Sequence, residues 1–222
     1  MGDKTGGHAT SSSVPTHLEA PRVNLRMRSD RLVNLYDPAA IDIELDDWVY
    51  GASRVPRWGG QTKGEIAYND LCHMLLTERI FSEMVWPGAP LEARRWALAH
   101  DLHEGAGLGD ICTPYGRLFA DAGLRELKGR LDRALRLAMG LPAEIPPRQR
   151  DAIKRADRIA AVSEAVQLMG WPERSARREV GQGYRGALWN KPIALLDEAA
   201  ARAAWWRRYR LLGGRPDPRA AP

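Results

Sequence analysis

The sequence predicts an all-α domain, a compact bundle of five or more helices. Three observations carry that prediction. Apolar residues recur at three- and four-residue spacing over several long segments, glycine and proline punctuate the joints between them, and no strand-like alternation of any length appears. There is no internal repeat.

Residues 1–26 are rich in Gly, Ser, Thr and Pro without apolar periodicity, which reads as a disordered N-terminal tail. The domain is assigned to residues 27–213, with regular structure from about Leu32, and residues 214–222 read as a flexible C-terminal tail. A turn at Asp37-Pro38 leads to a short helix around Leu45–Ala52. The stretch RVPRWGGQT then reads as a loop, because Pro56, Gly59 and Gly60 interrupt it.

From Ile66 to Val85, Leu71, Met74, Leu75, Ile80, Phe81 and Met84 recur at helical spacing, and Pro87-Gly88 ends the run. Pro90 opens a second helix, from Leu91 to about Glu104, carrying Trp96, Leu98 and Leu102. The glycine-rich stretch GAGLGDICTPYG breaks it. Leu124, Leu127, Leu131, Leu135 and Leu137 mark a third helix that stops at Gly140-Leu141-Pro142. Beyond PAEIPP, a fourth carries Ile153, Ala156, Ile159, Ala160, Val166 and Met169 and ends at Gly170-Trp171-Pro172. The last helix runs from about Ile193 to Leu212.

Composition bounds the partners. A chain of 222 residues buries a real core without staples. Cys72 and Cys112 form neither a close pair nor a zinc-ribbon spacing, so both read as small buried hydrophobes. No apolar run reaches the length of a membrane span, and the N-terminus lacks the apolar stretch of a secretory signal, so a cytoplasmic protein is expected. The net charge of +5 permits a polyanionic partner, yet the excess arginine is scattered rather than gathered in one run.

Chemistry concentrates where the histidines do. The chain has only five, and His100, Asp101, His103 and Glu104 fall within five positions in LAHDLHE. On a continuous helix Glu104 shares a face with His100. His73 lies inside the first long helix, where a histidine is either a satisfied core group or a ligand. Asp157 falls on the core-facing stripe of the fourth helix. A carboxylate buried there costs several kcal/mol unless it is paired, by Lys154 or Arg155 for instance, or bound to a cation. Two imidazoles and two carboxylates from three helices suit a divalent transition metal with open positions.

This ordered set resembles the HD-domain metal-dependent phosphohydrolases. The blocks RLVNLYDPAAIDIELDDW, RWGGQT, LAHDLHE, GDICTP and IKRADRIAAVSEA look like successive blocks of the branch that holds bacterial 5′-deoxynucleotidases and phage-type HD deoxynucleotide hydrolases. The likeness spans roughly residues 28–170. It implies that His73, His100, Asp101 and Asp157 hold one divalent metal ion (Co, Mn, Zn, Fe, Ni or Mg). It implies a catalytic acid/base role for Glu104 and a supporting one for Asp110. Arg57 and Trp58 are implied to contact the phosphate and the base or sugar of a nucleotide substrate. A homo-oligomer is also in keeping with the resemblance.

The chain departs from that pattern in having one more residue between Glu104 and Asp110 and a longer segment between Thr62 and His73. His103 carries no expected role, and Glu164, seven residues beyond Asp157, reads as a carboxylate behind the ligands or a partner for an arginine. The expected activity is cleavage of the 5′ phosphate ester of deoxynucleotides, as triphosphates or monophosphates. A non-catalytic nucleic-acid or nucleotide-binding protein is the alternative, motivated by WWRRYR in the last helix. A cyclic-nucleotide phosphodiesterase ranks last, since the GYP block is missing.

Overall fold

The chain opens with a hairpin. In the computed structural model, which describes residues 23–111 and 122–215, strand β1 (Asn24–Arg26) pairs antiparallel with β2 (Leu32–Asn34), placing Leu25 opposite Val33. Three-residue strands are too short to leave an alternating pattern in the sequence. Asp30, with φ of 65°, makes the reversal, a conformation short polar side chains tolerate. The expected tail over residues 1–26 is therefore corrected: residues 24–26 are strand. At the other end Gly214 is buried and the Gly213 carbonyl accepts from Arg95 at 2.7 Å, so packed structure reaches one residue beyond the expected 213.

Seven α-helices, joined by short 3-10 and π turns and irregular connections, follow in the described residues, in agreement with the all-α expectation. They are α1 (Leu45–Ala52), α2 (Asp70–Ile80), α3 (Leu91–Leu98), α4 (Ala122–Ala138), α5 (Pro147–Gln167), α6 (Glu173–Glu179) and α7 (Glu198–Leu211). Capping explains the boundaries that periodicity misses. The Asn69 side chain accepts from the Cys72 amide at 3.1 Å, so α2 begins at Asp70 rather than near Ile66. Asp197 accepts from the Ala200 amide at 2.8 Å, which moves the start of the last helix from about Ile193 to Glu198. Pro147 sits in the first turn of α5, where a missing N–H leaves no bond unmade. The short α6 lacked an apolar stripe and was not anticipated.

One correction bears on the site. The helix expected to run to Glu104 stops at Leu98, and Leu102–Ala106 forms a separate tight 3-10 turn. His100 and Asp101 thus lie in the break between the two, where their side chains escape the 100° step of a continuous helix.

The core gathers around Trp48, Leu71, Met74, Phe81, Leu98, Leu102 and Leu135, all fully buried. Helix α7 closes it. Trp205 is buried and donates from Nε1 to the Leu98 carbonyl at 2.9 Å, while Tyr209 stacks on it with ring centroids 5.1 Å apart. Trp206 donates to Asp46 at 3.2 Å. Of the aromatics of WWRRYR, Trp205 and Tyr209 are packed in the core and Trp206 is partly buried against α1. The buried Glu78 ties three helices, accepting from Arg94 of α3 at 2.9 Å and Arg208 of α7 at 2.7 Å. Among the described residues, no helix is long and apolar enough to cross a membrane.

Two glycines set the height of the turn that carries Glu104. A Cβ on Gly105 meets the Trp48 carbonyl oxygen at 2.3 Å, and one on Gly51 meets the Gly105 oxygen at 1.8 Å. Backbone lies directly on backbone here, so nothing flexible can yield. Gly105→Ala is expected to destabilise the chain by about 2–3 kcal/mol, lowering the melting temperature by roughly 5–10 °C in a thermal scan. A melting temperature within about 1 °C of wild type would refute the contact.

Candidate metal centre

Helix α2 packs on α5, and their shared face is polar where a core is usually apolar. On α2, Asp70, His73 and Thr77 follow one another at helical spacing and are all fully buried. On α5, Asp157 and Glu164 lie two turns apart on one face. The His73 ring sits between them: Nδ1 is 2.6 Å from Glu164 Oε1 and Nε2 is 3.2 Å from Asp157 Oδ1. Glu164 is itself fixed, accepting from the Tyr68 hydroxyl and from Trp58 Nε1, each at 3.1 Å. A buried carboxylate held this way keeps the proton on Nδ1 and turns Nε2 outward.

His100 repeats the arrangement with a different anchor. Its Nδ1 donates to the Ala97 carbonyl at 3.0 Å, leaving Nε2 buried without a hydrogen bond. That nitrogen lies 3.2 Å from Asp101 Oδ2 and 3.9 Å from Asp157 Oδ1, and His73 Nε2 is 3.6 Å from the same Asp101 oxygen. The two rings sit 5.3 Å apart, tilted by 51°. His73, His100, Asp101 and Asp157 thus bring one donor atom each within 4.8 Å of one another, and they can hold a metal ion. An orphaned buried imidazole nitrogen aimed into that space is what a ligand set requires.

Asp157 corrects an expectation in the process. Its side chain is 41% exposed, at the mouth of the group rather than in the core, and Lys154 and Arg155 make no ion pair with it.

Titration follows this geometry. Burial and the Arg57 charge lower the His73 imidazolium, yet Glu164 and Asp157 outweigh both and push it up to about 10. His100 is raised as well, since Asp101 and Asp157 overcome the cost of burial. Although burial raises Asp101, His100, His73 and Arg57 hold it well below the usual carboxylate range. Glu164 is lowered to about 2 against its burial, chiefly by His73 and Arg57.

Arg57 faces four carboxylates at once. Its Nη1 is 3.3 Å from Asp110, 3.6 Å from both Asp70 and Asp101, and 3.9 Å from Glu104. Burial first, then the charge of Asp101, raises Glu104 above the ordinary glutamate value, with Asp70 adding to it. Lys128 Nζ lies 3.4 Å from the other Glu104 oxygen, so the carboxyl is bracketed by two cations. Asp101, His103 and Glu104 also come close enough to share an ion. There, however, Lys128 stands against a second cation, and His103 is already held by Asp132 at 2.9 Å.

These groups line a cavity of about 770 Å³. Arg57, Asp101, Glu104, Asp110 and Asp157 lie along one side, and Trp58, Met169, Trp171 and Val180 make an apolar wall. Trp58 meets Trp171 edge-on at 6.1 Å. Trp58 adopts a left-handed backbone with φ of 59°, and a bulky residue there is strained unless its side chain is anchored. The bond to Glu164 anchors it, which couples the wall to the ring of His73. The stretch read as a loop contains a tight turn at Arg57–Gly60, in which Trp58 and Gly59 both take left-handed rather than helical backbone.

Six of the eight residues named from the sequence, Arg57, Trp58, Asp101, Glu104, Asp110 and Asp157, line this cavity, and His73 and His100 meet it through Asp101 and Asp157. The residues not anticipated are Asp70, Tyr68, Lys128, Arg158 and Trp171, while Lys154, read as a partner for Asp157, lines the cavity instead. Asp70 had a signal: Asp70, His73 and Thr77 form a polar stripe at helical spacing on a helix whose remaining pattern is apolar. Cys112, Thr113 and Pro114 of the GDICTP block lie outside the described residues.

No protein-family model matches the chain. An uncharacterized protein of Rhodobacter capsulatus is 38% identical to it over 189 residues, a span that covers 84% of this chain and 94% of that protein. The chain belongs to the same family as that protein.

Glu164→Gln keeps the shape of the side chain and removes the charge behind His73. It is expected to weaken Mn²⁺ binding by about 10–100-fold in calorimetry, the usual effect of losing the group that orients a ligand histidine. Unchanged affinity would show that Glu164 is only a packing group.

Proposed function

We propose that this member of the family is an HD-type, metal-dependent phosphohydrolase that cleaves the 5′ phosphate ester of deoxynucleotides. One observation carries the reading. Two imidazoles, each held from behind through Nδ1, converge with Asp101 and Asp157 beside a cavity that also presents an arginine, a bracketed glutamate and an aromatic wall. The order of the sequence blocks supports the family and the deoxynucleotide class.

His73, His100, Asp101 and Asp157 would hold one divalent metal ion, which when bound polarises a phosphoryl oxygen and lowers the pKa of a nearby water. Two nitrogen donors favour Mn, Co, Fe, Ni or Zn over Mg. The remaining work belongs to the chain. Arg57 offers its planar fork to the phosphate and balances the charge that builds up on it. Glu104 receives a proton from the attacking water and passes one to the leaving oxygen, with Arg57 and Lys128 holding its carboxyl in place. Trp58 and Trp171 supply a flat surface for the base and keep water from one side of the cavity.

The test is metal add-back to stripped protein, with products from deoxynucleotides and ribonucleotides resolved by ion-exchange chromatography. Turnover that returns with Mn²⁺ or Co²⁺ and vanishes in Asp101→Ala is the expected result. Glu104→Gln is expected to lower kcat by about 10²–10⁴-fold while metal still binds. If no metal restores Asp101-dependent turnover of any nucleotide, the hydrolase reading fails.

A further inference from the structure

Of the four carboxylates around Arg57, one stands apart. Asp101, Glu104 and Asp110 line the tryptophan-walled cavity, as Arg57 itself does. Asp70 does not line it and is fully buried, with Oδ1 3.6 Å from Arg57 Nη1. Backbone fixes this pair. Pro56 and Asn69 form an isolated antiparallel bridge, flanked by bonds from the Arg57 amide to the Tyr68 carbonyl at 2.8 Å and from the Asp70 amide to the Val55 carbonyl at 3.1 Å. Asp70 is therefore tied through its own backbone to the segment that carries Arg57.

The usual duty of an acid at this place is filled by a neighbour. Asp70 is the first residue of α2, where a carboxylate ordinarily accepts from free amides. Here Asn69 accepts from the Cys72 amide at 3.1 Å, and neither Asp70 oxygen makes a hydrogen bond. A carboxylate buried in that way is costly unless a charge beside it compensates. Arg57 is that charge, and its own Nε is buried without a partner. The guanidinium thus shares its cavity with three carboxylates, while a fourth reaches it from the interior.

We propose that Asp70 is a positioning residue for Arg57: it holds the guanidinium from the interior, so that the three cavity carboxylates do not draw it away from an incoming phosphate. The assignment rests on the reading of the site as a phosphohydrolase in which Arg57 contacts the phosphate. Asp70→Asn keeps the shape of the side chain and removes its charge. Charge alone makes the variant bind an anion more tightly, because one repelling carboxylate is gone. Loss of the hold makes it bind more weakly, so the two effects differ in sign.

The experiment is a double-mutant cycle of Asp70→Asn and Arg57→Ala, read as binding of radiolabelled orthophosphate to the Mn²⁺-loaded full chain, with free Mn²⁺ matched on both sides of a dialysis membrane. Burial pushes the Asp70 carboxyl up to about 7, with Arg57 working against the rise and Asp101 adding to it, so the measurement is made at about pH 8, where Asp70 is charged. Asp70→Asn is expected to weaken orthophosphate by about tenfold, and by less than about twofold once Arg57 is already alanine. Affinity that is unchanged or tighter in Asp70→Asn, or an equal loss in the Arg57→Ala background, overturns the proposal. If the asparagine variant does not fold, the smaller and neutral Asp70→Ser replaces it in the cycle with the same expectations; failure of both to fold makes Asp70 a structural counter-ion and also overturns it. The two readings fail separately. A loss in Arg57→Ala with none in Asp70→Asn leaves the hydrolase and removes this assignment. The expected cycle with no nucleotide turnover under any metal leaves the Asp70–Arg57 pair and removes the hydrolase.

Discussion

The site depends on one buried guanidinium. Arg57 holds Asp70, Asp101, Glu104 and Asp110 within 3.9 Å of Nη1, and its own side chain is 12% exposed. Without a cation at that point four carboxylates would repel across a region largely closed to water, where removal of one charge partner typically costs about 3–5 kcal/mol. Arg57 is placed by backbone as much as by charge. Its amide donates to the Tyr68 carbonyl at 2.8 Å, and the left-handed Trp58 turns the chain immediately after it. The strain of that turn is offset by the bond from Trp58 to Glu164.

Glu164 links this charge cluster to the histidines. A single carboxylate accepts from Trp58, Tyr68 and His73, so it fixes an aromatic wall, a neighbouring hydroxyl and the face of an imidazole together. The fold supplies the rest through helix ends. Trp205 of α7 donates to the last carbonyl of α3, and the break that follows frees His100 and Asp101 to point at α2 and α5. Gly51 and Gly105 then let the next turn lie on α1, which brings Glu104 under Arg57. Chemistry here is carried by discontinuities, while the continuous helices supply the frame.

That division explains what could be read in the sequence. Helical periodicity reveals local order, so α2, α4, α5 and the C-terminal helix were all visible in the chain. The residues of the candidate metal site were visible because His73, the His100-Asp101 pair and Asp157 are rare types in a distinctive order. The end of α3 was hidden, since it is set by a contact between Gly105 and α1 some fifty positions away. Asp197 and Asn69 looked like ordinary polar residues, though each fixes a helix start. Asp157 looked buried because it sits on the apolar stripe; in space that stripe opens onto the cavity. Lys154 looked like its partner, yet it lines the cavity beside Asp157 without an ion pair to it.

The central claim is that four side chains from three parts of the chain share one metal ion. Anomalous diffraction at the manganese absorption edge, from crystals of the full chain grown with Mn²⁺, tests it most directly. The account predicts one strong peak bounded by His73 Nε2, His100 Nε2 and the carboxylates of Asp101 and Asp157, with Glu164 still on His73 Nδ1. A peak held by other residues, or no peak among these four at saturating Mn²⁺, would contradict it.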